Sequence, residues 1–159
     1  MSEVFVARQP IFSSRQRVTG YELLFREQAT STCATVRDGQ RATGDVLEHA
    51  FHGIGIDVLA AGKPVWVNFP RETLLGDTVD ALPRQVVIEL LEDVAADPEV
   101  VAACRALRDR GYRVAIDDYA FEDDRDPLLA VADIVKVDLS VVDLDWPELP
   151  RRVRALHQR

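Results

Sequence analysis

Four short apolar segments of the chain each end in a side chain that carries oxygen. These segments are PVWVN (64–68), QVVIE (85–89), RVAID (113–117) and DIVKVD (133–138), and their last residues are Asn68, Glu89, Asp117 and Asp138. Helix-like stretches separate them, and the strands recur at intervals of roughly 20–28 residues, as expected for βαβ units. This pattern predicts an α/β fold with a parallel sheet.

The N-terminal part of the chain has a different pattern. Residues 5–12 and 18–26 are β-rich and flank a short polar connection, which predicts a hairpin or meander. Residues 28–42 are small and polar and predict a loop. The predicted helices span 43–61, 97–110 and 147–159. In the first of them, Leu47, Phe51 and Val58 are spaced for one apolar stripe.

Two architectures suit this order of elements, a doubly wound sheet and a (β/α)8 barrel. A complete barrel usually needs about 250 residues, and this chain has 159. We therefore expect a single domain over residues 1–159 that, if it is a barrel, lacks roughly two strands.

Charge and composition restrict the ligands and the compartment. Nineteen Lys and Arg against 27 Asp and Glu give a formal net charge of −8, which argues against a general nucleic-acid binder. A small phosphodiester held by metal ions remains compatible with this charge. We expect no signal peptide and no membrane span, because the apolar runs are short. Two distant cysteines, Cys33 and Cys104, predict a reducing, cytoplasmic location.

The polar strand ends predict a metal site. Strand carboxyl ends face the ligand in parallel α/β folds, and clustered oxygen ligands suit Mg²⁺ or Mn²⁺. The alternative is that these residues cap the following helices. Glu89 is a poor helix cap, and the adjacent Asp117 and Asp118 exceed what one cap requires, which favours the metal.

Two basic residues extend this candidate site. In YELLFR, alternation places Glu22, Leu24 and Arg26 on one face of a strand, where the acid and the arginine form either an exposed ion pair or a metal-and-phosphate site. Lys136 shares its strand face with Asp138, and a lysine among apolar residues needs a polar site for its ammonium.

Taken in order, these segments resemble the EAL domain, the family of bacterial cyclic-di-GMP phosphodiesterases. The resemblance rests on QPI (9–11), GYELLFR (20–26), VN (67–68), ELLE (89–92), DDY (117–119) and KVD (136–138). The first two stretches are most similar to the EAL part of proteins that join EAL to an HDOD domain. The resemblance implies a TIM-barrel-like fold whose first strand is antiparallel to the others.

It also implies a role for each matching residue. The implied metal ligands are Glu22, Asn68, Glu89, Asp117 and Asp118, the last two binding a second ion. Lys136 matches the lysine beside the attacking water, and Glu92 matches the glutamate that steadies the loop after the aspartates. The implied ligand-facing residues are Gln9, Leu24, Arg26 and Asp138.

Three departures from the family pattern predict a degenerate member. Residues 117–126 read DDYAFEDDRD in place of a glycine-rich stretch, and we expect residues 122–126 to be solvent-exposed. The ELLE segment lacks a hydroxyl residue before Glu92, and the strands that would carry the distal glutamate and glutamine are missing. We expect a signalling module that binds cyclic di-GMP, a protein partner, an HDOD domain or a second copy. The alternative is an active metal-dependent phosphodiesterase.

Overall fold

The computed structural model describes residues 5–26, 51, 55–77, 79, 82–121, 124–140 and 148–156. Its strands are β1 (Phe5–Phe12), β2 (Val18–Arg26), β3 (Val65–Phe69), β4 (Val86–Leu90), β5 (Arg113–Tyr119) and β6 (Ile134–Val137). Its helices are α1 (Ile56–Ala60), α2 (Arg71–Leu74), α3 (Pro98–Asp109), α4 (Asp126–Leu129) and α5 (Leu149–Leu156). All six strands predicted from the sequence are present.

The six strands form one sheet in the order β1-β2-β3-β4-β5-β6. Strand β1 is antiparallel to β2, and every later neighbouring pair is parallel. Each strand lies beside its predecessor in sequence, which is the order of a (β/α) barrel and not that of a doubly wound sheet. The described part is therefore an open, TIM-barrel-like sheet with β1 and β6 at its edges, and its antiparallel first strand confirms the expectation.

The outer face of the sheet carries the main hydrophobic core. Alternate residues of the central strands β3, β4 and β5, such as Val67, Ile88 and Ile116, are fully buried on this outer face. Helix α3 packs there through its apolar residues, including Cys104, which is buried as a free thiol. Burial raises the pKa of that thiol to about 11 and keeps it protonated.

The inner face holds a small second cluster made of Trp66, Val87 and Ala115. The indole of Trp66 lies over Gly20, where a Cβ would come within 2.1 Å of its ring. Glycine is therefore needed at this position, because any side chain would collide with the tryptophan. This layer forms the floor beneath the polar strand ends.

The helix predicted over residues 43–61 is only partly testable, because 43–50 and 52–54 lie outside the described residues. The described part forms the short α1, which begins after Gly55 at φ 88 and ends at Ala61 in the left-handed conformation. Val58 is 67% exposed, so its assignment to the apolar stripe was wrong. The caps at Gly55 and Ala61 limit the helix to five residues, and the buried residues of this short helix are Leu59 and Ala60. The loop predicted over 28–42 also lies outside the described residues.

Among the described residues, no helix is both long and apolar enough to cross a membrane.

Candidate metal and ligand site

Five polar side chains form a layer on the inner face of the sheet, near the carboxyl ends of β3 to β6 and at the middle of β2. Strands β2 to β6 contribute one each, namely Glu22, Asn68, Glu89, Asp117 and Lys136. Alternation along each strand places these residues on the inner face, one step beyond the cluster that contains Trp66. Because each residue comes from a different strand, the sheet and not the local sequence builds the site.

The ammonium of Lys136 lies at the centre of this layer. Its Nζ is 2.6 Å from Glu89 Oε1, 2.7 Å from Asp117 Oδ1 and 3.2 Å from Glu22 Oε2. Three carboxylates from three strands thus surround one cationic group. The predicted polar site for this lysine is the acidic cluster itself.

Burial and charge shift the titration of these groups in opposite directions. Burial, reinforced by the neighbouring Asp117, raises the pKa of Glu89 to about 8 against the opposing effect of Lys136. For Lys136, burial lowers the pKa, but attraction to Glu89 and Asp117 outweighs burial and raises it above its usual value. The lysine therefore stays positively charged at neutral pH, and a cation bound at Glu89 would offset the burial that raises its pKa.

The donor set suits a divalent cation. One carboxylate oxygen from each of Glu22, Glu89 and Asp117 lies within 4.8 Å of the others. Two further buried oxygens, Asn68 Oδ1 and Glu89 Oε2, lack a hydrogen-bond partner among the described residues. Since a buried oxygen without a partner is unfavourable, these atoms retain lone pairs for a ligand. Carboxylate and amide oxygens are the ligands that Mg²⁺ and Mn²⁺ prefer.

Asp118 is placed differently from its neighbour. Its backbone adopts φ 46, its side chain is exposed, and it lies outside the group formed by Glu22, Glu89 and Asp117. Partial desolvation of its carboxyl and the negative charge of the nearby Asp117 raise its pKa. A second ion at Asp118 therefore stays a prediction.

The loop that follows holds a buried arginine. We expected residues 122–126 to be solvent-exposed, and Asp124 is exposed, whereas Arg125 is only 5% exposed, which corrects the expectation for that residue. Residues 122 and 123 lie outside the described residues. Its guanidinium donates to the backbone oxygens of Asp117 and Asp118. Sequence reasoning missed this residue because an arginine within an acidic run resembles a solvated surface.

The remaining predicted residues take varied positions. Gln9 is exposed on β1 and lies opposite Glu22 in the β1–β2 register, while Leu24 lies two residues further along β2. The side chain of Arg26 lies outside what the structure describes, and Glu92 is exposed after β4. Asp138 accepts hydrogen bonds from the amide and hydroxyl of Ser140 in a local turn. The roles of these residues stay predictions.

Comparison with known proteins gives two curated relatives. No family model matches the sequence. The chain is 40% identical over 141 residues to the uncharacterized protein YuxH of Bacillus subtilis, an alignment that covers 85% of this chain and 34% of YuxH. It is 33% identical over 146 residues to the cyclic di-GMP phosphodiesterase CdgJ of Vibrio cholerae, covering 91% of this chain and 34% of CdgJ. The chain spans about a third of the length of both relatives.

Solved structures share the architecture. The YkuI protein of Bacillus subtilis, which has an EAL domain and was crystallised with its substrate c-di-GMP and calcium, superposes with a TM-score of 0.66. The match has 20% identity and covers 98% of this chain and 45% of YkuI. The chain therefore has the fold of the EAL domains, with six strands of the barrel in its described residues.

Proposed function

We propose that this chain is a signalling module that binds cyclic di-GMP through a divalent cation, and that by itself it does not hydrolyse the ligand. The observation that carries the proposal is the position of the Lys136 ammonium, which lies within 3.2 Å of carboxylates from three other strands. A cluster of this kind holds positive charge at the sheet edge where ligands of barrel folds bind.

The proposed cation is Mg²⁺ or Mn²⁺. Its ligands are Glu22, Asn68, Glu89 and Asp117, and Asp118 contributes to a second ion. The choice of ligand is supported by YkuI, which was crystallised with c-di-GMP, and by CdgJ, a cyclic di-GMP phosphodiesterase. When bound, the cation supplies positive charge that draws the anionic phosphodiester to the site and polarises it.

The chain's own residues hold and orient the dinucleotide. Arg26, at the carboxyl end of β2, binds a phosphate through its guanidinium, and Leu24 contacts a base. Gln9 and Asp138 line the borders of the same cleft. Lys136 keeps its proton and stabilises negative charge on a phosphate oxygen or orients a water molecule, while Glu92 steadies the loop after the aspartates.

Hydrolysis requires more than this set. A two-metal reaction needs a second ion about 3.5–4 Å from the first and a group that accepts a proton from water. Asp118 lies outside the group formed by Glu22, Glu89 and Asp117, and residues 122–126 include four acids that repel an anionic ligand. These features favour binding over turnover.

The second candidate is an active phosphodiesterase that opens cyclic di-GMP to the linear dinucleotide. Two observations favour it. The first-ion ligands and Lys136 are all present, and the chain is 33% identical over 146 residues to CdgJ. In this case Lys136 and Glu92 are part of the catalytic machinery.

We propose a cytoplasmic location. We also propose that a partner binds at the open edge of the sheet. This partner is an HDOD domain, another signalling protein or a second copy of this chain. No strand of the described residues pairs with the outer side of β6. Unpaired backbone groups at such an edge favour association.

Calorimetry with Mn²⁺ tests the cation site. We expect binding to the wild-type chain and a loss of binding in Glu89→Gln, which keeps the size of the side chain. Glu99→Gln is the matched control, because Glu99 is an exposed acid on α3 that pairs with Arg71. Equal affinity of the wild type and Glu89→Gln would refute the assignment.

Chromatography of cyclic di-GMP incubated with the chain and Mn²⁺ separates the two functions. We expect the ligand to bind and to be recovered intact, with weaker binding in Arg26→Met. If linear dinucleotide forms with Mn²⁺ and does not form with Glu22→Ala, the binding-module proposal is refuted and the chain is an active phosphodiesterase.

A further inference from the structure

Strand β5 departs from regular pairing at its two aspartates. The register with β6 shifts between Ile116 and Tyr119, so Asp117 and Asp118 form an irregularity of the bulge type. Asp118 adopts φ 46, a left-handed conformation that is uncommon outside glycine and that aspartate tolerates better than most residues. Such a backbone persists only when the surrounding structure holds it.

Arg125 supplies that support. Its Nη1 donates to the Asp117 backbone oxygen and its Nη2 to the Asp118 backbone oxygen, each at 2.9 Å. One planar guanidinium thus binds two successive carbonyls. Arginine suits this task, because its donors form a fixed fork. Arg125 is 5% exposed, so this contact lies in the interior of the protein and not on its surface.

The arginine is itself anchored to the core. Its backbone oxygen accepts the amide of Leu128 at 2.8 Å, which begins helix α4. Leu128 and Leu129 of that helix are buried. The hydroxyl of Tyr119 also donates to Asp126, which ties the end of β5 to the same helix. The guanidinium is therefore fixed with respect to the sheet.

The direction of the Asp117 carboxylate depends on this turn. Its Oδ1 lies 2.7 Å from Lys136 Nζ and accepts the Asp118 amide at 3.0 Å. A relaxation of the backbone at Asp118 would break the second contact and rotate the carboxylate away from Glu22 and Glu89.

We infer that Arg125 is a positioning residue for cation binding: by holding the carbonyls of Asp117 and Asp118, it aims the Asp117 carboxylate at the acid cluster. The inference rests on the proposed cation site. Arg125 touches neither the cation nor the dinucleotide in this scheme. It acts through the backbone of β5.

Three variants test the inference by Mn²⁺ calorimetry. Arg125→Met removes the charge and the fork, and we expect Mn²⁺ affinity to fall by about 10–100-fold, the usual effect of losing a group that orients a metal ligand. Arg125→Lys keeps the charge but cannot span two carbonyls, and we expect an intermediate affinity. Arg108→Met is the matched control, because Arg108 pairs with Asp133 beside the other end of β5.

A second readout needs no metal. In Arg125→Met we expect the amide of Asp118 to exchange its hydrogen faster, while the amides of β4 keep their protection. Tyr112→Phe controls for a general loss of stability, because it removes a buried hydroxyl that contacts the carbonyls of Val79 and Leu82 far from the acids. We expect this variant to be less stable and to bind Mn²⁺ like the wild type.

The outcomes separate the inference from the proposed function. If the wild-type chain binds no Mn²⁺, the cation site and the role of Arg125 both fail. If the wild type binds Mn²⁺ and Arg125→Met binds it equally well, the role of Arg125 alone is refuted. If Tyr112→Phe loses affinity as much as Arg125→Met, the effect is one of stability, and the inference is again refuted.

Discussion

At the scale of single residues, the ammonium of Lys136 is the counter-ion of the acid cluster. Its removal in Lys136→Met would leave the three acids Glu22, Glu89 and Asp117 without a neighbouring cation. We expect a loss of about 2 kcal/mol in the free energy of unfolding at neutral pH, less than for a fully buried pair, because 34% of the lysine side chain is exposed to solvent.

The same variant should respond more strongly to metal. Because a cation no longer competes with the ammonium, we expect Mn²⁺ to raise the unfolding free energy of Lys136→Met more than that of the wild type. Urea unfolding with and without Mn²⁺ measures both effects. Unchanged stability without metal would show that the lysine does not neutralise the acids.

The close contact between Gly20 and Trp66 predicts that a side chain at position 20 destabilises the floor of the site. In Gly20→Ala, the new Cβ would lie 2.1 Å from the Trp66 ring and 2.7 Å from the Pro64 backbone oxygen. We expect a loss of about 1–3 kcal/mol, since overpacking forces the backbone to move. Gly76→Ala is the control, because its nearest neighbour is at 3.2 Å. Thermal unfolding of both variants measures the difference, and equal losses would contradict the contact.

At the scale of elements, helix α3 depends on its N-cap, Asp97, the residue that precedes it. Asp97 Oδ1 accepts the amides of Glu99 and Val100, each at 2.9 Å, and Oδ2 contacts Arg71 at 3.1 Å. The hydrogen bond from Val100 and the contact with Arg71 lower the pKa of Asp97. A lowered pKa in the folded state means that this stabilisation is present above the unfolded pKa and is lost as the pH falls through the folded pKa.

We therefore expect Asp97→Ala to lower the melting temperature by a few degrees at neutral pH and to approach the wild type in acid. Asp97→Asn keeps an acceptor for the amides, so we expect a smaller loss. Melting curves from neutral pH to below pH 4 give the comparison. A difference between Asp97→Ala and the wild type that persists at the acid end would contradict the role of the charged cap.

The elements differ in how far the sequence predicts them. Strands β3 to β6 were predictable because each is a short apolar run with a polar end, and the barrel then brings Asn68, Glu89 and Asp117 to one edge. The length of α1 and the exposure of Val58 were not predictable, because the helix caps and tertiary packing override the weak apolar stripe of residues 43–61. The contact between Arg125 and β5 depends on a backbone turn that no spacing reveals.

At the scale of the whole molecule, the open sheet predicts association. Leu139 is 58% exposed directly after the edge strand β6, and Phe12 is 58% exposed at the end of β1 on the opposite edge. If copies or partners pair at β6, Leu139→Lys weakens association and Phe12→Lys does not, since a lysine at an edge opposes pairing. Sedimentation over a range of concentrations measures this. A monomer at every concentration would contradict self-association.

The indole beneath the acids also gives the chain a natural optical probe. The sequence has two tryptophans, and Trp66 is buried one layer below the carboxylates, with the guanidinium of Arg113 5.7 Å from its ring. Once Trp146 is replaced by phenylalanine, Trp66 is the only tryptophan, and excitation at the red edge, where tyrosine does not absorb, selects its emission. Binding of a cation at the acid cluster then changes the electric field at this indole, so site occupancy can be followed by fluorescence without any label.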